Sequence, residues 1–163
     1  MSFVSRKDEF IVWVLAPFIE TNDPNLQYYY DYTQSIAEYQ KVFQEIGCEW
    51  KWQNTTLSGI DESLQKIRDY PTTKTPIVIN LCDGDELNGI PGISVIHKLE
   101  ALGLAYTGSD DYFYRITTSK IPMKEAFDQH QVATAPWKVI DPSKTTAADI
   151  FREIGETVIV KPA

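Results

Sequence analysis

The chain has 163 residues, 43% of them hydrophobic and 23% charged, with a formal net charge of -8. That length suits one domain, or one domain and part of a second, with a core large enough to need no disulfide or metal staple. The acidic balance argues against non-specific nucleic-acid binding, and the two cysteines, Cys48 and Cys82, stand outside any CxxC pair and so argue against a zinc site.

The opening MSFVSRKDEF lacks the apolar stretch of a signal peptide, and Phe10 to Ala16 is too short to span a bilayer. Cytoplasm is the expected location, with both cysteines as small buried hydrophobes in a reducing compartment. FIVWVL (Phe10 to Leu15) has no polar alternation, which predicts a strand buried on both faces of a parallel sheet. A polar loop, ETNDPN (Glu20 to Asn25), follows. The apolar residues Tyr29, Tyr32, Ile36, Tyr39, Phe43 and Ile46 recur at gaps of 3, 4, 3, 4 and 3, which predicts one long helix ended by Gly47.

Cys48 to Trp52 alternates and predicts a second strand. Ser58 with Asp61 resembles a capping box opening a helix through Ile60, Leu64 and Ile67, with Pro71 and Pro76 bracketing its exit. IVINLC (Ile77 to Cys82) predicts the third strand and runs into DGDELNG (Asp83 to Gly89). Pro91 suits the first turn of a helix carrying Ile93, Ile96 and Leu99 and ending at Gly103. LAY (Leu104 to Tyr106) is a short fourth strand leading into TGS (Thr107 to Ser109).

Helices alternating with apolar strands predict an α/β fold, Rossmann-like, with a parallel sheet and helices on both faces. Ligands of such sheets bind beyond the C-terminal strand ends, where the loops after the first and third strands and the TGS turn lie. Farther on, Ser119 can cap a helix through about His130, with Pro122 in its first turn. WKVI (Trp137 to Ile140) and VIV (Val158 to Val160) read as strands, and Ala147 to Ile154 as a helix ended by Gly155. Ending on an apolar strand, the sequence reads as interrupted.

GxGxxG and Walker A patterns are absent, and His97 and His130 belong to no triad. The informative pieces are spread out: NLCDGDELNG (Asn80 to Gly89), LEALGLAYTGS (Leu99 to Ser109), SKIPMK (Ser119 to Lys124), TAPW (Thr134 to Trp137) and VIVKPA (Val158 to Ala163). In order and spacing, across roughly Ile77 to Ala163, they resemble the ATP-grasp superfamily, and within it the D-alanine–D-alanine ligase-like group. The first 76 residues match only in their β-α-β layout. The resemblance implies a pre-ATP-grasp domain over residues 1–115 and the first part of an α+β ATP-grasp lid subdomain over 116–163. It implies an N-terminal fragment of an ATP-dependent carboxylate–amine ligase acting through an acylphosphate.

In that family the lysine of the helix start and the lysine of the "V-K-P" strand contact ATP, and those roles fall here on Lys120 and Lys161, with Lys124 a weaker candidate. Two ammonium groups from separate elements suit a triphosphate. Ser119 replaces the family's aspartate; both residues are good N-caps. The family's "H-G-x-x-x-E-D-G" loop faces the amino-acid substrate. Here Cys82 and Asp83 replace its His-Gly start, which puts D-alanine specificity in doubt. Asp83 and Glu86 can meet a substrate ammonium group, or simply favour the dipole of the helix that follows. Glu20 is a further substrate candidate.

The cofactors implied are ATP and Mg²⁺, but the family's metal-binding acids and oxyanion groups lie beyond the "V-K-P" strand, so the expectation is a chain inactive by itself. The substrate would be a small amino acid or other carboxylate or amine, with no nucleic-acid or membrane partner. A homodimer stays open, since related ligases are commonly dimers through this domain. The alternatives are a non-catalytic α/β binding module or one chain of a split ligase. A receiver-type domain lacks its acidic pair after the first strand, and a Rossmann-like transferase lacks its glycine loop.

Overall fold

The computed structural model describes residues 7–161. The elements run in the order β1 (Phe10–Pro17), α1 (Pro24–Tyr29), α2 (Thr33–Ile46), β2 (Glu49–Thr55), α3 (Ile60–Arg68), β3 (Thr75–Asn80), α4 (Ile93–Ala101), β4 (Ala105–Tyr106), α5 (Asp111–Thr118), α6 (Lys120–Gln129) and α7 (Ala147–Ile154), after a single 3-10 turn at Lys7–Glu9. Two compact units follow one another, changing over between Asp111 and Tyr112. The boundary expected from the sequence fell at 115/116.

The first unit is α/β. Its four strands form one parallel sheet in the order β2-β1-β3-β4. β1 lies inside, paired with β2 from Ile11↔Glu49 to Pro17↔Thr55 and with β3 from Phe10↔Thr75 to Leu15↔Asn80. That position explains its unbroken apolar run: Ile11, Trp13, Val14, Leu15 and Ala16 are all buried.

Strand alternation separates the two faces. Ile11, Trp13 and Leu15 join Val78, Leu64, Ile67, Val95 and Leu99 in the main core, beneath α3 and α4. On β2 the same face carries Lys51, whose ammonium lies 4.8 Å from the Tyr70 ring centroid, and Gln53, whose Oε1 accepts from Lys66 Nζ of α3 at 2.8 Å. The opposite face carries Trp50 and Trp52. Against them α2 sets Phe43, stacked on Trp50 at 5.3 Å, and Tyr39, 5.8 Å from Trp52. Helices thus cover both faces, as the alternation predicts.

Several elements differ from expectation. The long helix is two. Pro24–Tyr29 forms α1, which starts inside the segment read as a loop and ends at the first residue of the aromatic stripe, with Asp23 accepting from Asn25 N at its cap and Pro24 at the first position. The chain then turns, because the Tyr32 hydroxyl reaches back to Pro17 O at 2.7 Å and Asp31 Oδ1 accepts from both Thr33 N and Thr33 Oγ1. β2 starts one residue later than Cys48 and runs on to Thr55, and Cys48 is half-buried rather than buried. The Ser58–Asp61 capping box does not form. Gly59 is the N-cap of α3, with its N–H taken by Thr56. α4 begins at Ile93, past Pro91, which is spent on the preceding loop: Pro91 O accepts from Gly84 N.

The second unit departs further. α5 was not foreseen. α6 matches its expected span, and α7 matches as well, with a reciprocal box between Thr146 and Asp149 and Gly155 at its end. Neither Trp137–Ile140 nor Val158–Val160 is a strand, so among its described residues this unit holds helices and irregular chain, without the expected β component. A strand exists only with a ladder partner, and neither segment has one among the described residues. The side chains of Trp137 and Lys138 go instead to Asp128 and Glu153. Pro162 and Ala163, the end of the VIVKPA motif, lie outside the described residues. No helix among the described residues is long and apolar enough to cross a membrane.

Candidate functional site

In the strand order β2-β1-β3-β4 the chain leaves β1 toward one edge and returns through β3 toward the other. The switch point is therefore between β1 and β3, and the crevice expected of such sheets opens beyond their C-terminal ends. The loops there are 18–23 and 81–92. Backbone bonds hold their roots: Phe18 N donates to Thr55 O at 2.8 Å, and Leu81 N to Leu15 O at 2.9 Å. β3 is pinned to the TGS turn, where Thr107 Oγ1 accepts from Asn80 N and Thr107 N donates to Val78 O. Asn80 Oδ1 then accepts from Cys82 N, which bends the chain into the acidic loop.

That loop sorts its acids. Asp85 is consumed locally, accepting from Leu87 N, Asn88 N and Asn88 Nδ2. Glu86 stands in the left-handed region at φ 63° and turns its carboxylate onto the start of α4. Its Oε1 accepts from Gly92 N at 3.2 Å and Ser94 N at 2.7 Å, and its Oε2 from Ser94 Oγ at 2.8 Å. Gly92, the N-cap, has no side chain to do this. The loop closes tightly enough that a Cβ at Gly84 would lie 2.4 Å from Ile90 O, so only glycine fits there. Of the two readings of Glu86, substrate contact or helix dipole, the geometry describes the second.

Asp83 and Glu20 differ from Glu86. Both are exposed, and among the described residues neither makes a hydrogen bond or ion pair. They sit on the two loops that flank the switch point. Asp83 makes itself felt electrostatically: burial pushes the Cys82 thiol up to about 12, and the negative charge of Asp83 adds to the rise. The Tyr32 phenol is likewise pushed to about 12 by burial, helped by Tyr30, Cys82 and Asp83. Tyr32 also lies against Trp52, with ring centroids 5.1 Å apart, and Tyr30 against Phe18 at 6.1 Å. An aromatic wall therefore backs this edge. Sequence periodicity had placed Tyr32 on a helix face, and the clue to its real position was the Asp31–Thr33 pair beside it.

The lysine set belongs to the second unit. Lys120 is the first residue of α6 and is exposed, with no partner among the described residues. Ser119 takes the N-cap position, at φ -105° and ψ 140°, but its side chain makes no capping bond, and the first turn contains no acid. The helix start thus presents the N–H groups of Lys120 and Ile121 beside an ammonium, a combination that attracts phosphate, while Pro122 has no N–H and Met123 N donates to Ser119 O. Lys161 is exposed and without a partner among the described residues, on irregular chain rather than at the mouth of a strand. Lys124 is half-buried and engaged, donating from Nζ to Ala135 O at 3.2 Å.

The described residues contain no group of three or more His, Cys, Asp and Glu that could hold a metal ion. His97 is paired with Asp111 at 2.6 Å, and His130 ends α6. No protein-family model matches the chain, and no curated protein matches it in sequence.

Proposed function

We propose that these residues form the amino-acid side and the first nucleotide-binding part of an ATP-dependent ligase that joins a carboxylate to an amine through an acylphosphate. The observation that carries the reading is the start of α6, where Lys120, without a partner among the described residues, stands beside an acid-free helix N-terminus that has no side-chain cap. A lysine there works against the helix dipole, at a cost of about 0.3–1 kcal/mol, which an anion would reverse. The ordered motifs from Ile77 to Ala163 supply the rest, with Lys161 as the second ammonium.

In this reading Lys120 and Lys161 bind and orient the nucleotide's phosphates as point charges. Glu20 and Asp83, at the β1/β3 switch point, hold the ammonium group of an amino-acid substrate. Mg-ATP, when bound, supplies the phosphoryl group that activates the carboxylate. In the family the metal-holding acids follow the "V-K-P" strand, so binding, and not turnover, is expected of these 163 residues.

Calorimetric titration with Mg-ATP tests this, on this chain and on the longest product of its gene. Lys120→Ala and Lys161→Ala should each weaken binding about 10- to 100-fold, the loss expected for one charge-assisted contact. Unchanged affinity in Lys161→Ala would remove that lysine from the site. Absence of binding to the long form would refute the proposal.

A further inference from the structure

Lys124 matches the second lysine of the helix-start motif, and spacing alone puts it on the same face as Lys120. Its ammonium, however, is taken. It donates to the carbonyl of Ala135, in the Thr134–Trp137 segment that the sequence singled out for its own motif. The same carbonyl accepts from Thr134 Oγ1 at 3.2 Å. One further tie holds this segment itself to α6, and a second holds the chain just before it. Trp137 Nε1 donates to Asp128 Oδ2 at 2.9 Å, and at the end of the helix Val132 N donates to Phe127 O at 2.8 Å. Among these ties only the Lys124 bond reaches back to the first half of α6, one helical turn, about 6 Å, from Lys120.

We infer that Lys124 is a positioning residue: its ammonium clamps the Thr134–Trp137 segment onto α6, and through that segment it shapes the surroundings of Lys120, without itself touching phosphate. The inference rests on the nucleotide reading above for its consequence, though not for the clamp. A lysine that met the triphosphate would have to leave the Ala135 carbonyl. One that acts as a clamp stays on it whether or not nucleotide is bound.

The test compares Lys124→Met, which keeps the stem and loses the donor, with Lys124→Arg, whose guanidinium can still donate. Amide exchange is measured without nucleotide, and affinity for Mg-ATP and for adenosine alongside. In Lys124→Met, exchange of the hydrogen-bonded Val132 amide, and with it of the bonded Trp137 indole N–H, should rise about three- to tenfold, while α7 and the first unit stay unchanged. Mg-ATP and adenosine should weaken by the same severalfold factor, and Lys124→Arg should restore both exchange and affinity. Unchanged exchange in Lys124→Met would overturn the clamp. A selective loss of Mg-ATP with adenosine unaffected would place the ammonium on phosphate and overturn the positioning role. If the unmodified chain binds no nucleotide, the function proposed above fails, and the exchange comparison alone decides the clamp.

Discussion

Replacing Glu86 by alanine isolates the device that starts α4. The carboxylate accepts two backbone N–H groups, from Gly92 and Ser94, and the Ser94 hydroxyl. Losing a side-chain cap costs about 0.5–2 kcal/mol, and losing a negative charge at a helix N-terminus about 0.3–1 kcal/mol more. The site is half-buried, so water replaces the cap incompletely, and Glu86→Ala should destabilise the first unit by about 2 kcal/mol. The left-handed backbone at residue 86 disfavours alanine as much as glutamate, so it does not enter the difference. Glu86→Gln keeps one acceptor oxygen for the two N–H groups and loses the charge, so about half that cost is expected. Urea denaturation, followed by the fluorescence of Trp13, Trp50 and Trp52 in a Trp137→Phe background, reports the first unit alone. A loss below about 0.5 kcal/mol in Glu86→Ala, or equal losses in the two variants, would refute the capping argument. So would a Glu86→Gln protein of full stability that binds an amino acid more weakly, since that places the carboxylate at a ligand.

At the end of α6, Gln131 occupies the left-handed position at φ 57° in a double-bonded helix stop, the arrangement that Gly103 makes after α4. Gln131→Gly should therefore stabilise the second unit by about 0.5–1 kcal/mol, read from the Trp137 unfolding transition; destabilisation would mean that the glutamine side chain has a role of its own. Cys82 is buried, with its thiol pushed to about 12 from an ordinary 9.0. Its folded-state proton is held more tightly, so the stability it contributes is complete below about pH 9 and is lost as pH rises toward 12. Cys82→Ala should flatten that alkaline limb. A maleimide at neutral pH should label half-buried Cys48 promptly and Cys82 only as the chain opens; equal labelling rates would show that the Cys82 pocket is accessible in the folded state.

The β-α-β alternation was legible because it needs only local patterning. β1 is apolar throughout since it has a strand on each side and helices on both faces, and α2 shows one aromatic stripe since it has one sheet face to cover. Where a local rule met a longer contact, the contact prevailed. The 3-4 spacing from Tyr29 to Ile46 holds equally for one helix or two, and the break was decided by Tyr32 reaching Pro17, fifteen residues away. Ser58 and Asp61 had the spacing of a capping box, but α3 starts one residue later, with Gly59 as its N-cap, and the Ser58 hydroxyl meets Thr56 Oγ1 instead.

The candidate site divides in the same way. Residue type and order alone nominated Glu20, Asp83, Glu86, Lys120, Lys124 and Lys161, because charge and motif spacing are properties of the chain. Which of these charges are free is a property of the fold. Glu86 is spent on the N–H groups of α4 and Lys124 on the carbonyl of Ala135, while Glu20, Asp83, Lys120 and Lys161 remain exposed without a partner among the described residues. A buried or half-buried charge is satisfied by whatever polar group packing brings within about 3 Å, and sequence spacing does not report that distance. Strands at Trp137–Ile140 and Val158–Val160 were read from apolar runs, which record a preference for extended chain. Whether extended chain becomes a strand depends on a neighbouring ladder, and only tertiary structure supplies one.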